Sequence, residues 1–134
     1  MNDANRIRAA REEMSIAADA LRAARSLIEL QLPNDAVSRA YYAAMHHARA
    51  LLLIEGLEPK SHHGVLTLLG QHMRGADRLS IESLKIFGEL QDRRSSADYT
   101  AARIPLATAE ALVTDAESFI VEARRILKSV GYLD

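Results

Sequence analysis

Large apolar residues recur every seven positions near the start of the chain, at Ile7, Met14, Leu21 and Ile28, with Ala10, Ala17 and Ala24 interleaved three places on. Near the end the pattern returns inverted. Ala109, Ala116, Ala123 and Val130 repeat by sevens, and Leu112, Phe119 and Ile126 lie three places after the first three. Such a repeat lines one face of a helix with alternating large and small side chains, a surface that must be buried against another helix. Aromatic residues are only 4% of the chain and Trp is absent, so Leu, Ile, Val and Ala must supply the core, a bias toward helix over sheet. At 134 residues one domain, spanning 1–134, can bury its own core. The expected fold is all-α, an antiparallel up-and-down bundle of four to five helices.

Local signals divide the chain. The first helix is expected from about Asn5 to Gln31, where Leu32-Pro33-Asn34-Asp35 interrupts it, with Asn34 or Asp35 placed to cap a second helix over about 35–55. Gly56 supplies a helix terminus and Pro59 prevents resumption, so the first two helices should form a hairpin. Ser61 can cap a third helix that fades at Arg74-Gly75-Ala76-Asp77, and Ser80 a fourth carrying Ile81, Leu84, Phe87 and Leu90. Residues from about Ala97 to Leu106 read as a loop before a last helix over about 108–130. Arg6, Arg8, Arg11, Glu12 and Glu13 read as a solvated face of the first helix.

Several function classes are removed by what the chain lacks. Without cysteine there is no disulfide, no thiolate nucleophile and no Cys-based metal site. The adjacent pairs His46/His47 and His62/His63 point about 100° apart on a helix and cannot chelate alone, so no metal and no cofactor are expected. Gly-rich phosphate loops and G-x-S-x-G are absent. No apolar run approaches the roughly 20 residues that span a bilayer, and the first residues do not read as an export signal, so a cytoplasmic chain without membrane association is expected. A formal charge of −1, from 17 basic and 18 acidic side chains, argues against whole-surface attraction to nucleic acid but leaves room for a local basic patch.

Two segments carry more polar chemistry than packing needs. On the second helix Arg39, Tyr42, His46 and Arg49 share one stripe beside an apolar stripe of Tyr41, Met45, Ala48 and Leu52. A guanidinium, a phenol and an imidazole in one row can bind phosphate, orient a nucleotide or move a proton, which makes Arg39, Tyr42 and His46 candidate binding residues. The plainer reading is a helix face hydrogen-bonded to its neighbours. Arg94, Asp98 and Tyr99, in the polar cluster that follows the fourth helix, are candidate catalytic residues. The two groups are expected to converge on one site: a structural role predicts an Arg39–Asp98 ion pair, and a functional one predicts a partly exposed Arg94 free to meet a phosphate.

The joint order of Ser38-Arg39-Ala40-Tyr41-Tyr42-Ala43, His46, Glu58-Pro59-Lys60-Ser61-His62-His63-Gly64 and Arg94-x-x-x-Asp98-Tyr99 resembles the bacterial HEPN-domain proteins, over about Asp35 to Phe119. The resemblance implies a helical bundle, commonly a homodimer, whose gene often neighbours a minimal nucleotidyltransferase in toxin–antitoxin pairs. Many such relatives are metal-independent ribonucleases with an Arg followed four to six residues later by a His. Here Arg94 matches the Arg, but Tyr99 stands where the His is expected, and a phenol is a poor proton acceptor at neutral pH. Three functions follow as expectations: the HEPN partner of a nucleotidyltransferase with RNA or nucleotide binding, an active ribonuclease toxin, or a non-catalytic helical interaction module.

Overall fold

The computed structural model describes residues 2–100 and 102–134. Five helices follow one another: α1 (Asp3–Glu29), α2 (Pro33–Ile54), α3 (His62–His72), α4 (Ile81–Tyr99) and α5 (Leu106–Ser129). The four long helices make the bundle, and α2 is its centre, packed against each of the other four. Most of the heptad residues form the seam, with Ile7, Leu21 and Ile28 partly buried against it, while Val130, just past the end of α5, is exposed. Ala10, Met14, Ala17 and Ala24 are buried on α1, and Ala109, Leu112, Ala116, Phe119, Ala123 and Ile126 on α5. Alanines at these positions let helix backbones approach closely, and the few large rings fill the middle. Tyr41, Phe87 and Phe119 are fully buried in a row, with centroids 5.9 and 5.4 Å apart.

The ends of the helices follow local chemistry. Ser61 Oγ accepts the Gly64 N–H at 3.1 Å and Ser80 Oγ the Ser83 N–H at 3.1 Å, the expected caps of α3 and α4. At Gly56, in the left-handed region with φ 71°, the Leu57 N–H reaches Leu52 O and the Gly56 N–H reaches Leu53 O, closing α2 with paired bonds to its last carbonyls.

Two boundaries differ from the sequence expectation. The second helix begins at Pro33, whose missing N–H is no loss in a first turn, and Asn34 does not cap it. Instead Asn34 Nδ2 donates to Ala102 O at 3.1 Å and its Oδ1 accepts the Ile104 N–H at 2.9 Å, pinning the α4–α5 connection to the start of α2. The fourth helix continues through Ala97, Asp98 and Tyr99, which were expected in a loop. Apolar periodicity ends there because the face is polar, yet it is held: Arg94 pairs with Asp98 one turn on, and Ser38 on α2 donates to Asp98. That extra turn carries Asp98 to α2.

Candidate functional site: a polar groove along the second helix

Tyr41 and Tyr42 lie about 100° apart around α2, and the difference decides their roles. Tyr41 is fully buried while Tyr42 is half-buried on the outer face. Between them and α4 sits Arg94, whose side chain is only 12% exposed and whose guanidinium carbon lies 5.0 Å from the Tyr41 ring centroid and 5.7 Å from that of Tyr42. Electron-rich faces offset part of the cost of burying this cation, and Asp98 Oδ2, 3.3 Å from Arg94 Nη1, offsets more. Arg94 Nε is buried with no partner among the described residues.

The first residue of α3 completes this cluster. His62 Nδ1 lies 3.4 Å from Arg94 Nη2 and 3.2 Å from the Tyr41 hydroxyl. A guanidinium can only donate, so Nδ1 accepts, and the ring carries its proton on Nε2. Burial lowers the pKa of His62, and the neighbouring positive charge of Arg94 lowers it further, keeping the imidazole neutral. Burial raises the pKa of the Tyr41 hydroxyl against the opposing pull of Arg94, so the phenol stays a donor.

Further along the same face of α2, His46 and Arg49 meet α1. Glu13 Oε2 lies 2.6 Å from His46 Nδ1 and Oε1 3.0 Å from Arg49 Nε. Burial alone would raise the pKa of Glu13, but these two bonds and their charges outweigh it and bring the carboxyl below its usual range. Glu13 thus belongs to the site, with a side chain 19% exposed, rather than to the solvated face read from the sequence. His46 Nε2 makes no hydrogen bond among the described residues.

Two open clefts flank the middle of this row. One, of about 390 Å³, is lined by Leu27, Asp35, Ser38, Arg39, Tyr42 and Asp98. The other, of about 540 Å³, includes Ile16, Asp19, Ala20, Arg39, Tyr42 and His46. Arg39 and Tyr42 border both, and the exposed guanidinium of Arg39 lies 4.7 Å over the Tyr42 ring.

The candidate residues are therefore brought together in part. Arg39, Tyr42 and Asp98 share one cleft, and His46 joins Arg39 and Tyr42 in the next. The expected Arg39–Asp98 ion pair does not form, because the Asp98 carboxylate is taken by Arg94 and by the Ser38 hydroxyl at 2.6 Å. Of the two candidate arginines, Arg94 is a clamped, nearly buried cation, and Arg39 faces solvent without an ion-pair partner among the described residues. Tyr99 is 79% exposed and takes no part in these contacts. Sequence reading missed Ser38, Glu13 and His62 as site residues, although Ser38 and His62 stood inside the motifs. Only the fold shows that the start of α3 and the end of α4 meet over Tyr41.

An all-helical bundle with a polar cluster where α2, α3 and α4 meet defines a class, and sequence comparison gives the family: the chain belongs to the HEPN domain family, whose model matches residues 10–132. It is 36% identical over 117 residues to a Methanocaldococcus jannaschii protein named "Putative toxin MJ0605", covering 87% of each chain. To "UPF0332 protein glr0978" of Gloeobacter violaceus it is 39% identical over 105 residues, 78% of this chain and 83% of that one. Its fold resembles the crystal structure of TT1696 from Thermus thermophilus with a TM-score of 0.76 at 20% identity, covering 88% of this chain and 98% of the other. No helix among the described residues is long and apolar enough to cross a membrane.

Proposed function

We propose that this chain is the HEPN component of a toxin–antitoxin-type pair, a homodimer that binds RNA or a nucleotide and is partnered by a minimal nucleotidyltransferase. The observation that carries the binding reading is Arg39, an exposed guanidinium laid on an aromatic ring between two clefts, with no acidic side chain occupying it among the described residues. Such a group offers a planar fork to a phosphate and a stacking surface to a base. Two relatives that carry the name "Putative toxin" support the module reading. Titration of fluorescent single-stranded RNA with purified protein tests it, and RNA binding at the level of a nonspecific acidic protein would count against it. Light scattering at tens of micromolar tests the dimer, and co-purification with a co-expressed minimal nucleotidyltransferase tests the partnership.

A second reading, ribonuclease activity, is favoured by one contact. Arg94 lacks the histidine that nuclease relatives carry a few residues later, but His62 from α3 supplies an imidazole 3.4 Å from its guanidinium. Incubation of the purified protein with RNA in the presence of a metal chelator distinguishes a nuclease from a binding protein.

A further inference from the structure

The two clefts share a wall, and the wall is Arg39 on Tyr42. Successive nucleotides of a single strand share one phosphate in the same way. We propose that the groove seats a two-nucleotide step of single-stranded RNA, one nucleotide per cleft, with the linking phosphate on Arg39. This rests on the RNA-binding reading and goes beyond it by specifying the unit recognised.

Each cleft has the parts such a nucleotide needs. Volumes of about 390 and 540 Å³ suit one nucleotide apiece. Apolar floor is present in both: Leu27 in one, and Ile16 with Ala20 in the other, where Ile16 is 51% exposed. A base face can lie on such surface or on the guanidinium plane. Each cleft is also lined by an anchored hydrogen-bonding group able to meet a ribose 2′-hydroxyl. In the first it is the Asp98 carboxylate, fixed by Ser38 and Arg94. In the second it is His46, whose Nδ1 is tied to Glu13. Two of the three carboxylates at the clefts are neutralised, Asp98 by Arg94 and Asp19 by Arg22 at 3.0 Å, while Arg39 and Asp35, which both line the first cleft, have no ion-pair partner among the described residues. Paired duplex bases hide the faces that these floors would cover, so duplex RNA should not fit.

The test measures binding of the dinucleoside monophosphate ApA, its 2′-deoxy counterpart and AMP by calorimetry, with amide NMR shifts to locate them. ApA should bind at least about tenfold more tightly than AMP although AMP carries more phosphate charge, and should move amides beside Leu27 and beside Ile16 together. Loss of the 2′-hydroxyl should weaken binding about tenfold, as should Arg39→Ala, an exposed substitution whose folding is checked by thermal melting. Equal affinity for AMP and ApA, shifts confined to one cleft, or unchanged binding by Arg39→Ala would overturn the proposal. If long single-stranded RNA binds while any of these holds, the RNA reading survives and the two-cleft arrangement does not. If the long RNA does not bind either, both fall.

Discussion

His46 and His47 are neighbours on α2 and live under opposite rules. His46 faces the groove, where Glu13 from α1 reaches it across the helix interface. His47 faces inward, 2% exposed, and its Nδ1–H donates to Ala43 O at 2.9 Å on its own helix, while its Nε2 is buried with no partner among the described residues. Burial drives the His47 pKa down to about 4; the Ala43 bond opposes this, and the charge of Arg124 adds to it. A charged His47 would need a second acceptor that the core does not provide. The outer face of α2 therefore gathers polar groups and anchors them with carboxylates, whereas the inner face admits one polar ring only in its neutral form.

The largest effect that can test this contrast is acid destabilisation. Folded His47 titrates near 4 and an unfolded His near 6.5, so between those values the unfolded chain binds a proton that the folded one refuses. Its contribution to stability is complete above pH 6.5 and is lost as pH falls toward 4, by about 3 kcal/mol. The variant His47→Leu should flatten this limb in denaturant titrations run from pH 7 to pH 4. An unchanged limb would mean that His47 is not the group responsible and would dissolve the contrast between the faces.

Next in size is Glu13. Its two bonds to His46 and Arg49 tie α1 to α2, so Glu13→Gln should destabilise the fold by about 2 kcal/mol at pH 7. The carboxyl is held below its usual range, so this contribution is present above about pH 4.5 and is lost as pH falls through the lower folded value. Acid thus removes Glu13 at lower pH than His47, and comparison of the two single variants separates the limbs, each variant losing only its own.

A smaller effect belongs to Asp98, which pairs with Arg94 within one helix and whose side chain is 33% exposed. Asp98→Asn should lower stability by about 1 kcal/mol, since Ser38 can still donate to the amide oxygen and solvent screens the lost charge. Chemical denaturation of the two carboxylate variants side by side ranks them. A greater loss at Asp98 than at Glu13 would reverse the assignment of Glu13 as the tie between helices.

The frame of this molecule was readable from spacing, because heptads, serine caps and Gly56 act locally. The helical end of α4 was not, because Arg94 to Tyr99 carry no apolar period and are held by Ser38, sixty positions away. The groove was half legible. The stripe of Arg39, Tyr42 and His46 follows from helical periodicity alone, but periodicity cannot say which of two arginines ends up clamped. Arg94 has two tyrosine faces, Asp98 and His62 around it, a set drawn from three helices. Glu13 looked like one of many surface charges for the same reason: its partners lie 33 and 36 positions along the chain.

The central claim is that Arg39, the candidate arginine of the groove that is not clamped, is where a nucleic acid phosphate meets this protein. It is tested most directly by the salt dependence of single-stranded RNA binding for the parent chain and Arg39→Ala. Removing one phosphate contact should weaken affinity at low salt and reduce the slope of log affinity against log salt by about 0.7, with the melting temperature unchanged. The same slope and the same affinity in both proteins would contradict it.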